Sequence, residues 1–213
     1  MTDRVKKKLP IAVLISGTGR SLKNMIEKIN AGELDAEIKL VVASTARARG
    51  IQFAEKALIP IEIIERSSFE TSENFSEAVF SKCEEAGAQF VIMAGYLQLL
   101  HIPERFDGRV VNIHPSLIPS FCGKGFYGHR VHEAALDYGV KVSGCTVHFV
   151  NNEYDAGPVI LQKVVPVLED DTPETLNDRV FYEAECVAYP EAVQLLAEGR
   201  VTLTGRKVSI ASA

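Results

Sequence analysis

The sequence predicts an α/β protein of one domain. Its open sheet should be mostly parallel in the N-terminal half, mixed and antiparallel in the C-terminal part, and closed by a long helix. Three observations predict this. Short apolar runs rich in β-branched residues recur through the first half, amphipathic stretches separate them, and two later strand-like runs follow one another with no room for a helix between.

The early runs are residues 11–15, 38–43, 61–64, 90–94 and 110–113. Strands covered on both faces of a parallel sheet read this way, as continuous apolar segments without alternation. Helical periodicity falls on 21–30, 50–57 and 72–86, with Gly32, Pro60 and Gly87 at the junctions. Strands alternating with helices imply right-handed βαβ crossovers, hence a Rossmann-like half. Residues 142–150 and 159–167 then read as long strands joined by 151–158, and so as antiparallel neighbours. Residues 171–196 read as the closing helix: Asp171 or Thr172 can cap it, Pro173 suits its first turn and Gly199 follows its end. The expected organisation is a tail at 1–9, a catalytic domain at 10–208 and a tail at 209–213.

With 213 residues and 46% apolar side chains, the chain can bury a full core. A formal charge of −5 gives no electrostatic reason to expect a nucleic-acid or membrane partner. Lys6, Lys7 and Lys8 read as a solvated tail. The apolar run that follows them is too short for a signal peptide and breaks at Ser16-Gly17. No stretch approaches the ~20 apolar residues of a membrane span. Cys83, Cys122, Cys145 and Cys186 are scattered without a CxxC pair, which suits reduced thiols in the cytoplasm better than disulfides or a zinc cage.

Ser16-Gly17-Thr18-Gly19-Arg20-Ser21 follows the first strand and opens the first helix. Free amides at such a junction can hold an anion. A dinucleotide fingerprint would place its third glycine at Leu22 and an acidic residue after the second strand, where Ser44-Thr45-Ala46-Arg47 stands. The loop therefore fits a plain phosphate with Arg20 as added charge, and fits equally a turn that binds nothing.

Val110-Val111-Asn112-Ile113-His114-Pro115-Ser116 carries more chemistry. Alternation puts Asn112 and His114 on one face, and Pro115 ends the strand, at the edge where open α/β sheets place ligands. An amide donor two residues from an imidazole suits acyl transfer, since one can bond an oxyanion and the other can move a proton. A buried histidine bonded to a backbone carbonyl is the simpler alternative. His148 and Asp155 are candidate company for His114, and a nearby carboxylate would favour the imidazolium. Two histidines and an aspartate could also bind zinc, but no HExxH-type spacing supports a metal, and none is expected. Asp155 before Ala-Gly-Pro could be a turn residue only. His129 and His132, one helical turn apart, read as a solvated helix face.

With these residues in view, the chain resembles the phosphoribosylglycinamide formyltransferase family from about residue 11 to 199. The strongest pieces are Asn112-Ile113-His114-Pro115-Ser116-Leu117-Ile118-Pro119, Gly144-Cys145-Thr146-Val147-His148-Phe149-Val150 and Asp155-Ala156-Gly157-Pro158-Val159-Ile160. The resemblance implies a formyltransferase-type fold and formyl transfer from 10-formyltetrahydrofolate, as co-substrate, to glycinamide ribonucleotide. It makes Asn112, His114 and Asp155 the catalytic group. It assigns Thr18, Gly19, Arg20, Ser21 and Glu185 to the ribonucleotide, and Leu97, Gln98, Leu99 and Leu100, together with Asn112, to the folate. It implies small-molecule substrates without nucleic acid or membrane, and a monomer or homodimer.

Three departures stand out. Arg20 and Ser21 replace the family's small hydroxyl residue and asparagine. Ser72 stands where a folate-contacting arginine is expected. Residues 121–128 form a longer loop, expected to be mobile beside the site and to offer Lys124 as a ligand contact. Related formyl-handling enzymes would need a further domain, before residue 11 for the deformylase or after the last helix for the transfer RNA formyltransferase, so neither is the expected match.

Overall fold

A computed structural model describes residues 8–212, so Lys6, Lys7 and Ala213 lie outside the described residues. Strands β1 (Leu9–Ile15), β2 (Ala36–Ala43), β3 (Ile61–Ile63), β4 (Phe90–Met93) and β5 (Val110–His114) alternate with helices α1 (Arg20–Asn30), α2 (Ile51–Lys56) and α3 (Ser72–Glu85). These five strands are parallel. Two more, β6 (Val142–Phe149) and β7 (Val159–Pro166), run antiparallel at one edge, giving the order β3-β2-β1-β4-β5-β6-β7. The order turns around between β1 and β4, the switch point at which open α/β sheets form a crevice beyond their strand ends.

The apolar runs lie where their composition puts them. Ile11 through Ile15 have no exposed surface, and their alternate side chains enter two cores, one on each face of the sheet. On one face Leu22 and Met25 of α1 pack beside the C-terminal helices. On the other, Phe75, Val79 and Phe80 of α3 form the second layer, below a start capped by Thr71, whose hydroxyl accepts from Asn74 N at 3.1 Å.

The closing helix expected at 171–196 is present as one continuous run, with the correction that its middle stretch is π-helical and not α-helical. Helix α5 (Pro173–Arg179) starts at a capping box between Thr172 and Thr175, a π-helical segment spans Val180–Glu185, and α6 (Cys186–Ala197) follows. Pro190 accounts for part of the change. It lacks the amide that would bond the Cys186 carbonyl, and its ring crowds that oxygen. Asn24 Nδ2 on α1 donates to this carbonyl instead, at 3.1 Å. Further on, the buried Tyr189 hydroxyl sits between the carbonyl oxygens of Met93 and Val111, at 3.0 and 3.1 Å, joining α6 to β4 and β5 just below the site.

A second correction concerns α4 (His129–Tyr138). His132 has no exposed surface, so this helix does not turn both histidines to solvent. It packs against α5, which excludes water from the His132 face and leaves His129 exposed. Strands β8 (Val201–Thr204) and β9 (Lys207–Ile210) add a separate antiparallel hairpin, and the expected domain end at 208 falls inside it. Among the described residues no helix is long and apolar enough to cross a membrane, and all four cysteines are free thiols.

Candidate active site

Two strands and a loop converge on one polar cluster. Asn112 and His114 project from β5. Antiparallel pairing sets His148 of β6 opposite Asn112, and the loop leaving β6 folds back so that Asp155 meets both histidines. His114 Nδ1 is 3.6 Å from Asp155 Oδ2, and His148 Nε2 is 3.8 Å from Asp155 Oδ1. Both imidazoles are buried. Among the described residues no group of histidine, cysteine or acidic side chains is arranged to hold a metal ion.

The remaining ring atoms have defined partners. His114 Nε2 donates to the Phe121 carbonyl at 2.9 Å, and its Nδ1 faces the Asp155 carboxylate just beyond hydrogen-bond distance. Asp155 Oδ2 also accepts from Gly123 N at 2.8 Å. The first residues of the 121–128 loop thus touch both members of the pair. Burial lowers the pKa of His148, and its Nδ1 donates to the Phe149 carbonyl at 2.8 Å. Asp155 itself has a φ of 49°, a left-handed conformation that aspartate tolerates better than most residues. Gly157 permits the tight return of this loop, because a Cβ there would lie 1.7 Å from the Phe149 oxygen.

Beside this cluster, Gly17, Thr18, Gly19, Arg20 and Ser21 form one wall of a cavity of about 700 Å³. Gly19 caps α1 at φ 71° and presses against Gly50, where a Cβ would lie 2.4 Å from the Gly50 Cα. Nothing acidic occupies the first turn of α1, and no side chain caps its start. That leaves the field of the helix N-terminus available to an anion. Arg20 is held against the same wall, its guanidinium 2.9 Å from Asp178 and 3.7 Å above the Phe181 ring. Glu185, in the π-helical segment, also faces the cavity, and burial pushes its carboxyl up to about 7 against the opposing influence of Arg20.

The other arm of the cavity is an apolar slot. Leu97, Gln98, Leu99 and Leu100 line it opposite Val150 and Tyr154, and Leu97 is 61% exposed, an unusual burden for a leucine with no neighbour to cover it. Ser16 joins the two arms. Its hydroxyl oxygen accepts from Leu97 N at 2.9 Å and from the Ser44 hydroxyl at 2.7 Å, at the base of the glycine loop. Ser72 lies outside the lining, but a guanidinium still reaches it: Arg66 donates to Ser72 Oγ at 3.3 Å and to the Phe69 carbonyl at 2.6 Å. Gly123, Gly125, Phe126 and Tyr127 line the cavity and Lys124 does not.

Apart from Lys124, every residue assigned from the sequence to a substrate or to catalysis lines this one cavity. Sequence reading did not place His129, Asn177 and Phe181 at the site, yet they also line the cavity. Their only local signal was polar or aromatic character on helices whose packing a sequence does not display.

A model of the formyl transferase family matches residues 9–193. Among relatives, the chain is 43% identical over 196 residues to the trifunctional purine biosynthetic protein adenosine-3 of Gallus gallus, covering 91% of this chain and 19% of that protein. It is 34% identical over 195 residues to the phosphoribosylglycinamide formyltransferase of Haemophilus influenzae, covering 91% of this chain and 89% of that one. The chain thus spans about a fifth of the trifunctional relatives and most of the Haemophilus protein. The crystal structure of glycinamide ribonucleotide transformylase 1 from Symbiobacterium toebii superposes with a TM-score of 0.91 at 38% identity, covering 97% of this chain and 95% of that one.

Proposed function

Since the chain belongs to the formyl transferase family, we propose that it passes the formyl group of 10-formyltetrahydrofolate to the amine of glycinamide ribonucleotide. The products are formylglycinamide ribonucleotide and tetrahydrofolate, within purine synthesis. One observation carries the reading: Asn112, His114 and Asp155 meet in a single cavity between a glycine loop suited to a phosphate and an apolar slot suited to a flat heterocycle. Its volume lies in the ordinary range of roughly 300–1,000 Å³ for small-molecule sites.

The ribonucleotide phosphate rests on the amides of Thr18 to Ser21 with Arg20 beside it, and Glu185 accepts from the sugar hydroxyls. The pterin enters between Leu97, Leu99 and Val150 and bonds to backbone groups of 97–100. The substrate amine attacks the formyl carbon, forming the new C–N bond and a tetrahedral oxyanion. Asn112 donates to that oxyanion, and protonated His114 supplies charge and a hydrogen. Asp155 holds His114 in that state and relays the proton lost by the attacking amine. As the oxyanion collapses, the bond to the folate nitrogen breaks and that nitrogen takes up a proton. Positioning of the two substrates contributes the remainder of the acceleration.

The expected assembly is a monomer or a homodimer. Free, scattered thiols fit a cytoplasmic setting. We assign no nucleic-acid or membrane partner, given the net charge of −5. The test is spectrophotometric: folate deformylation is followed with and without glycinamide ribonucleotide. Turnover that requires the ribonucleotide supports the transfer, whereas equal turnover without it makes the protein a hydrolase.

A further inference from the structure

His148 touches the reacting cluster without a part in the transfer just described. Its Nδ1 lies 2.8 Å from the Phe149 carbonyl, and a carbonyl only accepts, so the hydrogen of a neutral ring sits on Nδ1. Nε2 is then bare. At 3.3 Å from it stands the side-chain nitrogen of Asn112, which can only donate. Asp155 Oδ1, at 3.8 Å, is too far to bond. The ring is 2% exposed, so its polar contacts are chiefly with protein.

The identity of the two ends of an asparagine amide is decided by what surrounds them. Here a lone pair faces the amide and selects its nitrogen. One amide hydrogen goes to His148, leaving the second on the same nitrogen free to donate into the cavity. A hydrogen on Nε2 would select the opposite arrangement, turning the Asn112 oxygen toward His148. Resting on the formyl-transfer reading, we propose that His148 is a positioning residue, which through its bare Nε2 holds the Asn112 amide so that a hydrogen, and not a lone pair, meets the oxyanion.

The side chain that accepts at the Nε2 position is therefore the one that matters. His148→Gln can place an amide oxygen near Nε2 and keep the acceptor. His148→Asn is too short for this and keeps only a donor near Nδ1. The experiment compares kcat and both KM values for these variants, alone and in an Asn112→Ala background. The Asn variant should lose about 10²-fold in kcat with KM little changed, as expected for a misaimed group. The Gln variant should recover much of it, and in the Asn112→Ala background the Asn substitution should cost almost nothing more. Additive losses in that background, or equal losses in both single variants, would overturn the proposal.

Should the Asn variant fail to fold, nitrogen NMR of the histidine-labelled wild-type protein decides independently. A bare His148 Nε2 at neutral pH supports the proposal, and a protonated one refutes it. Absence of transfer by the wild-type enzyme would instead count against the formyl-transfer reading.

Discussion

Replacing His132 with leucine should make the protein markedly more resistant to acid. His132 lies in the first half of α4 with no exposed surface, and neither ring nitrogen has a hydrogen-bond partner. Asn177 is near the ring without meeting hydrogen-bond geometry. Burial, reinforced by the neighbouring His129, lowers the pKa from 6.5 to about 4. As the pH falls below 6.5, the unfolded chain gains a proton that the native state refuses until about pH 4. The unfolded state thus binds more protons across that window, so stability declines as pH falls through it and the loss is complete below about pH 4. At about 1.4 kcal/mol per pH unit, the interval is worth about 3 kcal/mol, a large part of a typical total of roughly 5–15 kcal/mol.

Urea unfolding followed by circular dichroism, in steps from about pH 8 to about pH 4, measures this for wild type and His132→Leu. The wild-type curve alone is ambiguous. The half-buried Glu185 carboxyl, raised to about 7, titrates with the opposite sign, stabilising the native state as pH falls toward 4.5. Glu185 is common to both proteins, so the difference between their curves isolates His132. At about pH 8 leucine should be no less stable, because it removes two buried nitrogens whose missing partners cost about 1–3 kcal/mol each. Toward about pH 4 the leucine variant should gain about 3 kcal/mol over wild type relative to that starting point. A difference that stays flat across the range would refute the assignment of His132 as a buried neutral ring.

His114→Ala should lower kcat by about 10³-fold while calorimetry finds both ligands still bound, because the lost charge and proton act chiefly on the transition state. Arg20→Ala should raise the ribonucleotide KM and spare kcat; an unchanged KM would show that Asp178 and Phe181 hold this side chain for structure alone. The ribonucleotide KM should improve as pH rises through about 7, where Glu185 ionises into a stronger acceptor for sugar hydroxyls, and Glu185→Gln should flatten that dependence. Gly157→Ala should shift the Asp155 loop, since the new methyl would overlap the Phe149 oxygen. A lower urea midpoint with a fall in kcat is expected, and unchanged kcat would mean that the loop absorbs the methyl without moving Asp155.

The parallel half of the fold was legible because its strands are covered on both faces, so an unbroken apolar run carries its own signature. The catalytic strand was legible for another reason: alternation fixes which side chains share a face, and Pro115 fixes where the strand stops. Features set by distant partners were not legible. The π-helical stretch of the closing helix ends beside the Cys186 carbonyl, whose donor Asn24 lies on α1, far back in the chain. His132 is buried by helix–helix packing that its own segment does not encode, so the spacing that suggested a solvated face was true of His129 alone. The β8–β9 hairpin does alternate apolar and polar residues, but each strand is only four residues long and largely exposed, too short a run to stand out.

The change from parallel to antiparallel pairing after β5 has a chemical consequence. After the loop and helix α4 that follow β5, β6 returns antiparallel beside it, and that register sets His148 against Asn112. Two histidines thereby come within 4 Å of the same carboxylate, and their surroundings assign them different tasks. The bare Nε2 of His148 receives an amide hydrogen, so protonating it would break that bond. His114 instead has the Phe121 carbonyl at Nε2 and the Asp155 carboxylate 3.6 Å from Nδ1, so its two nitrogens meet oxygens and not an amide donor. Moving a donor next to His114 should therefore impair catalysis more than removing the Phe121 contact. Ser116, whose hydroxyl already donates to the Ser120 carbonyl at 2.6 Å, is buried close to that contact and shows how local donors are kept turned away from the ring.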